Sequence, residues 1–297
     1  MRTARLEAIL HRVPVFFNPY TDFGFKKLFG EEANKDLLID FLNQILPLRH
    51  QIADLRFRNG ENMPMREGER KSIFDISCRA ISGEEFIIEI QRGKMQYFKD
   101  RAVYYTTFPI QRQAKRGDWS FKLEVVYFIA ILDFDYDEDL TPRKLLREVS
   151  LKDQDGIAFY DKLHFIFLQM PLFEKKEHQL ETHFDKWLFF LQNLENFDEI
   201  PQVLNEPIFK KGFETARIAK MKTTEYMRYE KSRMALLENQ AVIDTALMEG
   251  EMKGKIEVVE AGFYKGLSID LLAQLTGLPI SKIQNIYMRL SNPAKQN

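Results

Sequence analysis

The stretch SIFDISCRAISGEEFIIEIQ, residues 72–91, decides how this chain is read. It has the outline of a β-hairpin. Phe74, Ile76, Cys78 and Ala80 alternate with other residues, and Phe86, Ile88 and Ile90 do the same on the return. For both apolar rows to fall on one face, the numbers of facing residues must sum to an even value. A two-residue turn at Ser82-Gly83 gives an odd sum and throws one row to the wrong side. A three-residue loop, Ile81-Ser82-Gly83, restores the match. It also places Gly83 at the left-handed position of a type I turn with a G1 bulge, where glycine is favoured.

In that register Asp75 faces Glu89, and Gln91 follows on the same side. Cross-strand Cβ atoms lie about 4.5–5.5 Å apart, so two carboxylates there repel unless one is protonated or a cation stands between them. Lys71, Arg79, Lys94 and Arg101 are the protein cations within reach along the chain. A divalent ion is the other candidate, since Mg2+ takes oxygen ligands, typically one or two carboxylates with waters and phosphate oxygens. Two readings stay open at this point. The three polar residues form either the solvated face of an antiparallel sheet or a site for metal-assisted phosphodiester hydrolysis. In the second case two carboxylates hold a metal that activates water, and the third residue orients that water.

Outward from the hairpin, NPYTDFGFKKLFGEEANKDLLIDFLNQILP predicts two short helices. Thr21 or Asp22 can cap the first and Gly30 stops it; the second presents Leu37, Leu38, Phe41, Leu42 and Ile45 at helical spacing. IADLRFRN predicts a strand, and residues 60–71 a charged loop. After the hairpin, a helix perturbed at Pro109 runs toward Gly117. KLEVVYFIAILDF and LHFIFLQM are nearly continuous apolar runs, as strands buried on both faces should be. A helix near Phe184–Leu194 follows. The order ααβββαββα describes a mixed α/β domain of about 200 residues. From about Phe213 to Lys265 helix formers dominate. Then Ser268 and Ser281, as N-caps, and Gly277 with Pro279 mark out two short helices with the dimensions of a helix-turn-helix.

Composition narrows the function classes. The 297 residues are 45% hydrophobic and 29% charged, with 25 Phe and 11 Tyr, as suits a folded core. With 43 basic and 44 acidic residues the net charge is -1, which excludes a strongly basic coating but not a local basic surface. From Lys222 onward 10 basic face 9 acidic residues, so charge gives the terminal hairpin no DNA footprint. The single cysteine, Cys78, is expected to be a buried thiol, and it rules out an internal disulfide and a cysteine-rich zinc site. No apolar run approaches the ~18 residues of a membrane span, and that in MRTARLEAILHR is too short for a signal peptide. The expectation is a soluble, cytoplasmic protein. DFDYDED, residues 133–139, fails as a calcium loop because its sixth and twelfth positions are Glu138 and Lys144. His178 and His183 are five apart, not the four of a helical zinc motif.

DFGFKKLFG, NKDLLIDFLNQIL, FDISCRAISGEEFIIEIQ, YFKDRAVYY and the terminal GLSIDLLAQLTGLPISKIQNI together carry a resemblance. The chain resembles a PD-(D/E)XK nuclease and, more narrowly, the bacterial PD-(D/E)XK nuclease-family transposases, akin to the recombination-promoting nucleases. The resemblance implies an α/β fold, a restriction-endonuclease-like mixed β-sheet core flanked by helices over residues 1–205. An α-helical extension over 206–297 would end in the helix-turn-helix-like hairpin. It implies Asp75 as the motif aspartate, Glu89 as the second acid, and Gln91 where lysine usually stands. Phe74 replaces the proline of the family name. Asp22 is the candidate acid from the first helix, and the helix after Gln91 would pack beside the site. Lys94, Arg101, Arg112, Lys115 and Arg116 are the candidate DNA contacts. The function so implied is Mg2+- or Mn2+-dependent DNA cleavage, linked to recombination or mobile elements. Gln91 keeps a second reading open, a weakened nuclease that binds DNA without cutting. A third is an oligomeric scaffold built on the C-terminal helices.

Overall fold

The computed structural model describes residues 14–58, 61–62, 72–114, 120–136 and 141–291; Lys71, Lys115, Arg116 and the MRTARLEAILHR segment lie outside them. Helices α1 (Asp22–Phe29) and α2 (Lys35–Ile45) precede strands β1 (Leu55–Phe57), β2 (Ile76–Ala80) and β3 (Glu85–Gln91). Helix α3 (Phe98–Arg112) leads to β4 (Val126–Leu132), β5 (Leu146–Lys152) and β6 (Ala158–Gln169). The rest is helical: α4 (His183–Asn193), α5 (Pro207–Ala216), α6 (Thr223–Tyr264), α7 (Ile269–Thr276) and α8 (Ile280–Ser291).

The strands form one six-stranded sheet in the order β1-β2-β3-β4-β6-β5. Its centre, β3-β4-β6, is parallel, and the outer pairs are antiparallel. A separate ribbon pairs Glu61–Asn62 with Ser72–Ile73. Every residue of β4 is buried, because helices cover both sheet faces. On one face Ile76, Cys78, Phe86, Ile88, Tyr127 and Ile129 pack with apolar side chains of α1, α2, α4 and α5. On the other, Ile87, Phe128, Ala130, Leu132 and Phe167 meet Phe98 and Ala102 of α3.

The hairpin adopts the register that parity requires. Ile76 faces Ile88 and Cys78 faces Phe86. The Ala80 N–H donates to the Glu84 carbonyl at 2.9 Å, the Gly83 N–H donates to the Ala80 carbonyl at 3.0 Å, and Gly83 has φ 119°. One residue departs from the expected row. The chain bends at Asp75, and Phe74 turns to the α3 side, edge-on to Tyr105 and Phe108.

Two elements differ from the sequence expectation. Strand β5 is an additional edge strand; it is largely exposed and its pairing to β6 is irregular near Leu151, so it lacks an apolar run to announce it. The helical region expected from Phe213 is interrupted. Helix α5 opens on Pro207 at its first position and ends at Ala216, where Arg217 turns extended (φ -68°, ψ 112°). The break serves the N-terminal segment: Phe17 N–H donates to the Ala216 carbonyl at 2.9 Å and Ile218 N–H to that of Val15 at 3.0 Å.

The chain divides into two compact units, one ending at Met234 and one beginning at Ala235, which is beyond the boundary expected at residue 205. Phe209, Phe213 and Tyr229 are wholly buried in the first unit's core, and the Tyr229 hydroxyl accepts from the Asn18 N–H at 3.1 Å. In the second unit Val259, Leu272, Leu278, Ile283 and Ile286 form a small core of their own. Ser268 caps α7, accepting from the Leu271 N–H at 3.3 Å, and Gly277 ends it at φ 68°. Ser281 is no cap: α8 begins at Ile280, and the Pro279 carbonyl takes its first helical bonds. Cys78 is fully buried, and no described helix is long and apolar enough to cross a membrane.

Candidate active site

Asp75, Glu89 and Gln91 lie where β2 begins and β3 ends, at the carboxyl end of the parallel strands. That edge is where open α/β sheets place their ligand crevices. Asp75 and Glu89 are braced across the hairpin by two bonds. The Asp75 N–H donates to Glu89 Oε1 at 3.2 Å, and the Ile90 N–H donates to Asp75 Oδ2 at 2.8 Å. Each carboxylate thus fixes one oxygen on backbone and keeps the other. Glu89 is 5% exposed and Gln91 7%, beneath α3. The solvated-face reading therefore does not hold.

Burial dominates the electrostatics. It raises the Asp75 pKa, and together with the Asp75 charge it pushes Glu89 up from 4.5 to about 8. Two cations act against this, Arg101 and Lys26. Arg101 extends from the first turn of α3; its Nη2 donates to Gln91 Oε1 and stands 3.6 Å from Glu89 Oε2. Its Nε is buried without a hydrogen-bond partner among the described residues, and its guanidinium lies 5.4 Å from the Tyr105 ring centroid. Of the cations weighed from sequence that lie among the described residues, Arg101 is the one placed at the pair. Arg79 is occupied at the hairpin turn, donating to the Gly83 carbonyl at 3.2 Å.

Helix α1 brings up the flank. Thr21 rather than Asp22 caps it, accepting from the Gly24 N–H at 2.9 Å. Gly24 is required by space: a Cβ there would sit 2.3 Å from the Asn18 carbonyl oxygen and 2.7 Å from Thr21 Oγ1. Asp22 is the first helical residue, exposed, with Lys26 Nζ 2.6 Å from its carboxylate. It touches neither acid, yet its charge raises the Asp75 pKa. Lys26 was not singled out from sequence. Its signal was there, since a lysine four residues after Asp22 shares its helical face.

The candidate DNA contacts are scattered. Lys94 is exposed on the loop after β3. Arg112 closes α3, roughly 16 Å of helix beyond Arg101, and its electrostatic partners are Glu85 and Arg58 at the other end of the hairpin. Lys115 and Arg116 fall outside the described residues.

Among the described residues no cluster of three or more His, Cys, Asp or Glu side chains is placed to hold a metal ion. The pair still suits a hard divalent cation, because Mg2+ keeps several waters and needs only one or two carboxylates. Comparison with curated proteins and with solved structures gave no match. The family model described as PD-(D/E)XK nuclease family transposase matches residues 19–246, a span that includes Asp22, Asp75, Glu89, Gln91 and all six strands of the sheet. With most of its length so matched, the chain belongs to the PD-(D/E)XK nuclease family transposases.

Proposed function

We propose that this protein is a divalent-metal-dependent DNA endonuclease that hydrolyses phosphodiester bonds at the Asp75–Glu89 pair. The observation that carries the reading is the pair itself, a buried Glu89 and a half-buried Asp75 facing each other across a hairpin, with a guanidinium 3.6 Å from Glu89. Asp75 and Glu89 would hold Mg2+ or Mn2+. When bound, the ion polarises the phosphate and lowers the pKa of a coordinated water. Arg101 supplies the positive charge that Gln91 cannot, and its fork of donors suits phosphate oxygens. Gln91 fixes that guanidinium through its Oε1; its amide nitrogen donates to the Arg92 and Gly93 carbonyls, each at 3.4 Å, and would turn to the attacking water only by giving up those long bonds. Asp22 and Lys26 tune the field from the flank. Family membership is consistent with a role in recombination or mobile elements, and we place that role in the cytoplasm with DNA as partner.

The test is nicking of supercoiled plasmid with Mg2+ or Mn2+. The wild type should nick, and Glu89→Ala and Asp75→Ala should lose the activity while remaining folded. Equal nicking by all three overturns the assignment. A second reading has its own support, because the bond from Arg101 occupies Gln91. In it the protein is a weakened nuclease that binds DNA without cutting. Salt-dependent DNA affinity, unchanged by metal and without nicking, would select that reading.

A further inference from the structure

One residue past Gln91, Arg92 lines a cavity of about 300 Å3 with Tyr20, Asp133, Gln192 and Glu195, and with apolar Met170. The cavity is tied to the candidate site by backbone. The Asp133 N–H donates to the Gln91 carbonyl at 3.1 Å, and Tyr20 stands two residues before Asp22. The Arg92 guanidinium lies 5.1 Å from the Tyr20 ring centroid, and its buried Nε has no hydrogen-bond partner among the described residues. Asn18 Nδ2 donates to Glu195 Oε2 at 2.6 Å, which fixes that carboxylate at the cavity wall.

The mixture of charges limits the occupant. A metal ion is opposed by Arg92, and a phosphate by Asp133 and Glu195. A neutral planar group with both N–H donors and carbonyl or ring-nitrogen acceptors satisfies all three. Resting on the endonuclease reading, which supplies DNA as the ligand, we propose that this cavity receives one unstacked base of the bound strand and fits guanine best. The carboxylates accept from N–H groups of the guanine edge, while Arg92 donates to O6 or N7. The faces of Tyr20 and Met170 provide the apolar contact that an extruded base requires. Thymine offers two carbonyls and a single N–H, and fits worst.

The experiment is fluorescence anisotropy of the full chain, in EDTA so that nothing is cut. The probes are labelled single-stranded 12-mers: all-thymidine, the same with one central dG, and the same with deoxyinosine there. A well-made set of base contacts is worth about 1–3 kcal/mol, so the dG strand should bind about tenfold tighter than all-thymidine. Deoxyinosine, which lacks the exocyclic amine, should fall between them. Asp133 is exposed at the rim, so Asp133→Asn keeps the fold. It should shrink the ratio of dG to all-thymidine affinity below about threefold, and that ratio is the readout, since removing a carboxylate also changes the affinity for the backbone. Equal binding of the three strands overturns the inference. So does no binding at all, or a preference that survives Asp133→Asn combined with Glu195→Gln. Nicking is scored separately. A protein that nicks but shows no base preference loses this cavity's role and keeps the endonuclease. One that prefers guanine but never nicks loses the endonuclease and keeps a base-reading site.

Discussion

Replacing Glu89 by glutamine in the metal-free protein should stabilise it at alkaline pH and do much less at mildly acid pH. The reason is a proton. The Glu89 carboxyl titrates at about 8 in the fold against 4.5 ordinarily, so between those values the native state holds a proton that the unfolded chain has released. By linkage, stability is full below about pH 4.5 and falls as pH rises toward 8. At about 1.36 kcal/mol per pKa unit the ceiling is roughly 4–5 kcal/mol. Arg101 opposes the shift and is already contained in that value; about 1.4 kcal/mol of the ceiling is present by pH 5.5, so the gain grows by about 3 kcal/mol between pH 5.5 and pH 8.5. Glutamine retains an oxygen for the Asp75 N–H, so the hairpin brace survives. For a unit of this size that is a melting shift of several degrees at pH 8.5, on about 2–4 °C per kcal/mol. Thermal unfolding in EDTA at pH 5.5 and 8.5, followed by the fluorescence of buried Trp187, makes the comparison. A variant destabilised equally at both pH values would refute the reasoning. So would a gain larger at pH 5.5 than at 8.5.

Two further substitutions test the frame around the pair. Gly24→Ala drives a Cβ to 2.3 Å from the Asn18 carbonyl oxygen; it should cost about 1–3 kcal/mol in urea unfolding and reduce nicking by displacing Asp22 and Lys26. Gln91→Lys, which installs the family's usual residue, should lower both stability and nicking because its ammonium meets Arg101; the double variant Gln91→Lys/Arg101→Met should recover both, and a single variant more active than wild type would contradict the role given to Arg101.

The hairpin was legible because parity is arithmetic. Two apolar rows and one glycine leave a single loop length, and that length puts Asp75 opposite Glu89. The burial of the polar side was not legible, since alternation says which residues share a face but not what covers it. That depends on where α3 crosses. For the same reason four cations stood equal along the chain, while among the described ones only Arg101 projects from the turn of α3 that lies over Gln91. Phe74 escaped its row because one bend at Asp75 reverses the sidedness of everything before it. Strand β5 has few buried apolar residues, so its edge position silences the hydrophobic signal. Helix α5 did carry a marker, Pro207 at the first helical position, but its separation from α6 is imposed by the pairing of Val15–Phe17 with residues 216–218, a contact of long range. The second unit's start within a continuous helix has no sequence mark at all.

Gln91 and Arg101 are best understood together. A lysine at position 91 would put an ammonium beside the guanidinium, and two like charges about 4 Å apart cost roughly 4 kcal/mol even at an effective dielectric of 20. With glutamine, the same contact becomes a charge-assisted hydrogen bond, and the guanidinium is held near Glu89 rather than driven off. On the proposed reading, the site's positive charge stands on the helix over the strand and not on the strand itself. That placement has a chemical consequence. A strand lysine offers one ammonium on a flexible stem, whereas a guanidinium anchored at one nitrogen still presents donors in a fixed plane. It also ties the charge at the proposed site to the placement of α3, whose packing through Phe98 and Ala102 against Phe128 and Phe167 becomes part of that site's geometry.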